Sequence, residues 1–528
     1  MVDWGIQLIK KAINKKWEWT GVGGVVVVLS ALFLRLFNLN LIPVFADEAI
    51  YIRWAQVMRA ETTLRFLPLT DGKQPLFMWV TMPFLKYISD PLVAGRVVSV
   101  FSGLGTIVGI FFLSYLLFKS RKVSLFATLL YALSPFAVFF DRMALVDSML
   151  SMFGVWTLAL MILAIRHQRL DASLLAGFAL GGAMLTKSPA LFFVLLSPSV
   201  LIFMPFKKKT ERVVNLVKSI GLLAVTCVLG FAIYNILRLG PNFHLIAIRN
   251  MDYVFPYNHI LTEPNNPLVG NMERVFAWIL SMGPGSLLVL AIVGGIINLP
   301  KRWREIAILL VWGLLPVLIE AEYSKAFTAR YILFTFPPLV ILAASILKRF
   351  KKAPKVYVTY ALASIFFVQT FVFHSVFFNE PHNSSWPEKD GYLADWTAGT
   401  GIKEASQIII SEREANPELQ IVLGTEGYFG TLPNGAEMYL QGETGIRVIG
   451  VGLDLEDVPD SLLESVASGN ITYLMVNSSR LDFSNFSEKG LEVIASYDKA
   501  PRTPGTHGYV SDGPQDTFYL FEITKDAL

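Results

Sequence analysis

Cysteine is almost missing from this sequence: Cys227 is the only one in 528 residues, and it lies inside an apolar run. A disulfide framework within one chain is therefore excluded. Charge is scarce as well. Asp, Glu, Lys and Arg make up 16% of the residues, where a soluble domain carries about a quarter, so lipid rather than water must solvate most of the chain. No short-period repeat and no low-complexity linker is visible. The first apolar run is long and lacks a clear small-residue cleavage site, which argues against a cleavable signal peptide.

What the sequence has in abundance is apolar surface, with 54% hydrophobic residues and a mean hydropathy of +0.52. Runs of about 20 residues, the length that crosses a bilayer, recur at roughly 20–40, 92–118, 123–140, 145–165, 172–186, 189–206, 213–238, 274–298, 305–320, 331–347 and 356–378. The chain thus reads as a polytopic α-helical membrane protein of about eleven spans. The fifth run, LLAGFALGGAML, is short, and its TKSP connection to the sixth is tight.

Charge then orients the spans. With the N-terminus in the cytoplasm, the inner loops hold Lys10, Lys11, Lys15 and Lys16, then Lys119, Arg121 and Lys122, then Arg166 and Arg169. They continue with Lys207 to Lys209, with Lys301, Arg302 and Arg304, and with Lys348, Arg349, Lys351 and Lys352. Each short basic cluster falls on one side, as the positive-inside rule requires. The outer loops collect acids instead: Asp47, Glu48, Glu61, Asp71, Asp90, Asp141, Asp147, Asp252, Glu263, Glu320 and Glu322.

Residues 380–528 carry 24 acids against 9 bases, a net of −15, so the remainder carries +19 of the formal +4. Membrane anchoring accounts for the basic part, and nucleic acid is not an expected partner. The acidic part turns globular. Runs such as LQIVLG, IRVIGV and ITYLMV alternate with helical stretches, followed by LEVIASY and TFYLFEI, an α/β pattern. The expected division is a transmembrane domain over 1–379 and a soluble α/β domain over 380–528, outside the cell because the span number is odd. Sequons at Asn383, Asn470, Asn477 and Asn485 agree weakly with that side. A glycine-bearing turn at 424–439 lacks a complete nucleotide fingerprint.

The first outer loop, about 41–91, contains FADEAIYIRWAQVMRA. Ile50, Trp54, Val57 and Met58 share one helical face, with Arg53, Gln56 and Arg59 opposite, the pattern of an amphipathic helix lying in the membrane interface. Asp47 and Glu48 begin it and would serve either as helix caps or as catalytic acids. In DGKQPLFMW, Lys73 can reach headgroup level while Phe77 and Trp79 anchor; the plainer reading is snorkelling. FFDRMALVDSMLSMF places Asp141 and Asp147 at the mouth of a span. A separation of six residues turns them about 600° on a helix, onto different faces. Lys187 in TKSPALFF, and Lys325, Arg330 and Tyr331 in AEYSKAFTARYILFTFPP, stand at outer ends of spans. A charge at a span end is usually an anchor; several on one face point to a polar cavity for a phosphorylated lipid.

The order D-E, K-x-P-L-F-x-W, SPFAVFFDRMALVD, LGGAMLTKSPAL and ARYILFTFPPLVIL resembles the GT-C fold polyprenyl-phosphate-sugar-dependent glycosyltransferases. The branch concerned is the one related to protein O-mannosyltransferases and the lipid A aminoarabinose transferase, over about residues 20–350. The resemblance implies Asp47 as catalytic base, with Lys73, Arg330 and Tyr331 binding the donor phosphate. Glu48, Tyr51, Asp141, Asp147, Lys187 and His259 are possible supporting residues. Two positions depart from the family. Ile50 stands where many relatives carry the arginine of D-E-x-R-Y, and Gly72 stands where the aminoarabinose enzymes carry a metal-holding glutamate. Gly72 argues against a zinc site of that kind, while another divalent metal is left possible at His244 and His259, the histidines of the 240–272 loop.

The chemistry has its own logic. An acceptor attacking the anomeric carbon needs a base for its proton, and the departing lipid phosphate needs cations. The expected partners are a polyprenyl-phosphate-sugar donor, the bilayer, and a protein, glycolipid or polymer acceptor. A transporter or flippase is the rival class, but transporters place charge at mid-membrane in broken or repeated helices.

Overall fold

The computed structural model describes residues 15–205, 212–348 and 355–527. The basic residues Lys10 and Lys11, Lys207 to Lys209, and Arg349, Lys351 and Lys352 lie outside the described residues. The chain forms two compact units. Unit 1 comprises 1–37, 66–77 and 96–375; unit 2 comprises 38–65, 78–95 and 376–528. Unit 2 thus takes in two stretches from the first 100 residues as well as the C-terminal part.

Among the described residues of the chain, six helices are long and apolar enough to cross a membrane: Pro91–Phe118, Val146–His167, Arg212–Leu239, Gly285–Tyr323, Ala329–Lys348 and Tyr357–Asn379. The pair Arg121–Leu133 and Pro135–Asp141, bent by 62°, makes a seventh if it is one span. Shorter apolar helices cover Thr20–Leu36, Leu170–Thr186 and Ser188–Phe203. The 39-residue helix is too long for one straight crossing, since a rise of about 1.5 Å per residue carries it well past a core about 30 Å thick. It breaks where Arg302 leaves helical geometry, two residues after Pro300 and inside the Lys301–Arg304 basic cluster.

Small residues let two helices of unit 1 approach closely. A Cβ at Gly177 would lie 2.8 Å from Leu229 Cβ, and one at Gly181 would lie 2.7 Å from Ile233 Cβ. The four-residue spacing places both glycines on one face, and either would have to become a clash if enlarged.

Unit 2 is built on a five-stranded sheet. Strand β1 (Val44–Phe45) pairs antiparallel with β2 (Ala398–Gly399) as a separate ladder. The main sheet comprises β3 (Ile421–Thr425), β4 (Ile446–Gly450), β5 (Ile471–Asn477), β6 (Leu491–Asp498) and β7 (Thr517–Ile523) in the order β4-β3-β5-β7-β6. β3 runs parallel to β4 and β5, while β7 runs antiparallel to β5 and β6. Every residue of β3 is buried, as expected of a central strand. One sheet face closes over Leu462, Leu474, Val476, Phe521 and Ile523.

The helix Ala46–Ala60 belongs to this unit and corrects the interfacial expectation. Ile50, Trp54 and Met58 are buried, and the polar side also meets protein. Arg53 pairs with Glu437 at 2.9 Å, and the Gln56 amide donates to the Met438 carbonyl at 2.9 Å. An amphipathic period does not say whether lipid or protein covers the apolar face. Trp79, another expected anchor, donates its indole N–H to the Arg65 carbonyl at 2.7 Å. Phe77, in unit 1, is fully buried in the protein. The Asn477 sequon is closed to modification, because its side-chain amide is buried and donates to Glu426 at 2.6 Å.

Candidate active site

A cavity of about 710 Å³ opens in unit 1, and five short pieces of chain wall it. The first is the turn Leu67–Asp71, closed by Gly72 in the left-handed region at φ +67°. The Gly72 and Lys73 amides donate back to the Leu69 and Pro68 carbonyls, each at 3.0 Å, which turns Lys73 toward the cavity before Pro75 ends the loop. The second is the break after Leu170–Thr186, where Lys187 adopts extended backbone and Pro189 restarts the chain. Gln74 joins these two, donating to Ser188 Oγ at 2.8 Å.

The third and fourth walls are zipped together. Val254 and Ser324 form an antiparallel bridge. The Phe255 amide donates to the Tyr323 carbonyl at 2.8 Å and the Lys325 amide to the Tyr253 carbonyl at 2.9 Å. This holds Arg249 to Pro256 beside the end of Gly285–Tyr323, which contributes Glu320. Tyr331, at the start of Ala329–Lys348, completes the wall, and Leu191, Phe192, Leu195 and Ile319 supply an apolar flank.

Four cations, Lys73, Lys187, Arg249 and Lys325, line the cavity against two carboxylates, Asp71 and Glu320. Their surroundings differ. Arg249 is held by Asp71 at 2.5 Å and Asp252 at 2.9 Å, and the Asp71 bond keeps its guanidinium above its ordinary pKa. Lys187 is paired with Asp147 at 2.6 Å and lies 4.1 Å from the Tyr331 ring centre. The Lys73 ammonium lies 4.6 Å from the Tyr253 ring centre, and among the described residues it pairs with no carboxylate. Lys325 donates to the Met251 carbonyl at 2.6 Å. Such a cavity can receive an anion at Lys73 and Lys325 and an apolar chain along its flank.

Of the residues singled out from sequence, the cavity gathers Lys73, Lys187 and Tyr331, with Asp147 behind Lys187. Arg330 is not among the lining residues; its guanidinium lies 5.5 Å from the Tyr331 ring centre. Asp141 lies elsewhere in unit 1, in a fully buried pair with Arg35 at 2.9 Å. The two aspartates are kept apart, each with its own cation. His259 stacks on Phe255 at 4.1 Å, and its Nε2 lies 2.6 Å from the Asn266 carbonyl, a packing role. Asp47, Glu48 and Tyr51 belong to unit 2. Glu48 accepts the Phe45 amide at 3.0 Å, so it caps its helix. Tyr51 is buried 6.0 Å from the Trp54 ring.

A metal on the pattern of the aminoarabinose enzymes does not fit here. The direction a side chain at position 72 would take is filled by Arg249, whose Cβ would lie 2.7 Å from an added Cβ. The Arg249 Cγ and the Leu245 carbonyl oxygen, each 2.9 Å from an added Cβ, close the rest of that space. Among the described residues no three His, Cys, Asp or Glu side chains converge.

Sequence reasoning set down Glu320 merely as an outer acid and did not single out Arg249. The Asp71–Arg249 pair joins residues 178 positions apart, and no local pattern reports that. For Glu320 a signal existed: an acid in the last turn of an apolar helix is unfavourable at the negative end of the helix dipole.

Residues 72–236 match the family model described as Dolichyl-phosphate-mannose-protein mannosyltransferase. No curated protein matches the chain. Among solved structures, apo ArnT from Cupriavidus metallidurans aligns with 97% of this chain and 99% of its own, at 16% identity and a TM-score of 0.55. The same protein bound to undecaprenyl phosphate aligns with 95% and 98%, at 15% identity and a TM-score of 0.54. At such identities the structural likeness is one of fold. Together these define a membrane glycosyltransferase. Residues 72–236 are thus similar to that family, and the chain has the fold of ArnT.

Proposed function

We propose that the protein transfers a sugar from a polyprenyl-phosphate carrier to an acceptor on the outer side of the membrane, by direct displacement with inversion at the anomeric carbon. The observation that carries this is the cavity of unit 1, where Lys73 and Lys325, paired with no carboxylate among the described residues, stand beside an apolar flank. A phosphate carrying a long isoprenoid matches both halves. Binding of undecaprenyl phosphate by ArnT from Cupriavidus metallidurans supports the same class of donor.

In this reading Lys73 meets the donor phosphate and Tyr331 orders Lys187 beside it. As the sugar–phosphate bond breaks, negative charge grows on the phosphate, and fixed cations in a water-poor cavity stabilise it. Asp47, the first acid of the D-E pair, takes the acceptor proton.

The proposed topology has a cytoplasmic N-terminus and residues 380–528 outside. Its eleven spans are reached when the three shorter apolar helices are counted and Gly285–Tyr323 is divided at Arg302. Protein, glycolipid and cell-wall polymer acceptors share this chemistry. Feeding radiolabelled polyprenyl-phosphate-sugars to the purified protein with a membrane-and-peptide extract separates them by where the label goes. Proton NMR of the product then reads the anomeric configuration. Retention, or no acceptor labelled with any donor, contradicts the proposal.

A further inference from the structure

Glu320 lines the cavity yet is more than nine-tenths buried. Among the described residues its Oε2 has no hydrogen-bond partner. An unsatisfied buried acceptor is unfavourable, and more so when it is charged. Its position adds to that cost, because it lies in the last turn of its helix, where its backbone carbonyl accepts the Ser324 amide at 2.9 Å, and an acid there opposes the dipole. Lys187, the nearest answer in the cavity, is already bonded to Asp147 at 2.6 Å. The fold therefore leaves this oxygen unanswered, and a ligand can satisfy it.

The ligand of this cavity, on the donor reading above, has three parts. The ionised phosphate accepts hydrogen bonds and repels a carboxylate. The isoprenoid has no polar hydrogen to give. The sugar alone offers O–H groups. We propose that Glu320 is a positioning residue for the sugar of the lipid-linked donor, accepting its hydroxyl hydrogens at Oε2 while Lys73 and Lys325 hold the phosphate. The inference rests on that donor reading and adds which wall of the cavity the sugar faces.

Glu322, two residues on, gives a control. It too is buried with both carboxylate oxygens unpartnered, but it does not line the cavity. The experiment measures binding by the full-length protein in nanodiscs. The probes are bare undecaprenyl phosphate and the same lipid carrying mannose, glucose or galactose. The sugar bound most tightly by the wild type is compared across variants.

Glu320→Ala is expected to bind bare undecaprenyl phosphate as the wild type does and to lose about tenfold or more for the sugar-bearing lipid, the scale of a hydrogen bond to a charged group. Glu320→Gln recovers part of that loss, and Glu322→Gln changes neither. The melting temperature of Glu320→Ala stays level or rises, as it should for a carboxyl that costs the fold. Equal losses for both lipids, no loss for either, or a wild type for which no sugar adds affinity each overturn the assignment of Glu320. A wild type that binds neither lipid overturns the donor reading itself, and this inference with it.

Discussion

In unit 2, Lys499, Arg502 and Asp516 are all 3% exposed or less, and they answer one another. Asp516 accepts from Ser478 Oγ at 2.7 Å and from the Ser479 amide at 3.0 Å, with Lys499 at 3.6 Å and Arg502 at 3.4 Å. Arg502 reaches Asp395 as well, at 3.1 Å. Burial works to raise the Asp516 carboxyl, but Lys499 and the serine hydrogen bonds outweigh it and hold it below its ordinary value. The cavity of unit 1 buries Glu320 with one oxygen unanswered and leaves Lys73 over a tyrosine ring. Both regions take charge out of water. One pairs its charges with one another and so holds a fold; the other, beside its closed pairs, leaves a carboxylate oxygen and an ammonium unpaired among the described residues, at a cost that a ligand can offset.

The contrast can be broken from either side. The largest expected effect comes from Asp47→Asn, which should lower turnover by about 10²- to 10⁴-fold, the scale of a general base, and leave binding of the lipid phosphate unchanged in a filter assay. Next is Asp516→Ala. It strands two buried cations and should destabilise unit 2 by about 3–5 kcal/mol, read as a fall in the denaturant midpoint of a far-ultraviolet transition.

Lys73→Ala should do the reverse. Its melting temperature holds, while the KM for the donor rises about 10- to 100-fold with the loss of a charge-assisted contact. A fall in melting temperature at normal KM would put Lys73 with the closed charges.

The smallest effect concerns acid stability. Burial works against the Asp90 charge, but the hydrogen bond from Lys403, at 2.6 Å, and those from the Val93 and Leu92 amides leave its pKa depressed. A depressed carboxyl contributes stability above its unfolded value and loses it as pH falls through the folded one. Lys403 is partly exposed, so Lys403→Ala should cost under about 1 kcal/mol near neutrality. The difference from wild type should close in melting curves as pH falls below the ordinary carboxylate range.

Six of the eleven expected spans, or seven with the bent pair, were legible among the described residues because lipid demands long apolar runs, and Lys73, Lys187 and Tyr331 stood out because each flanks such a run beside a proline or an aromatic. The helix Ala46–Ala60 was legible as a helix, but its cover was not: an apolar stripe with Ile50, Trp54 and Met58 is the same for lipid and for protein. Glu48 as a cap followed from its place in the first turn. The burial of Phe77 and Asn477, the stacking of His259 on Phe255 and the Asp71–Arg249 pair depend on which distant segments meet. Two of those segments, 38–65 and 78–95, fold with the C-terminal unit, and no composition shift marks them.

The most direct measurement is release of labelled sugar from a panel of polyprenyl-phosphate-sugars by the purified protein in nanodiscs, wild type beside Asp47→Asn. The account predicts turnover of one donor by the wild type, and its loss in a variant that still binds that donor. No turnover with any donor, or equal turnover by the two proteins, would contradict it.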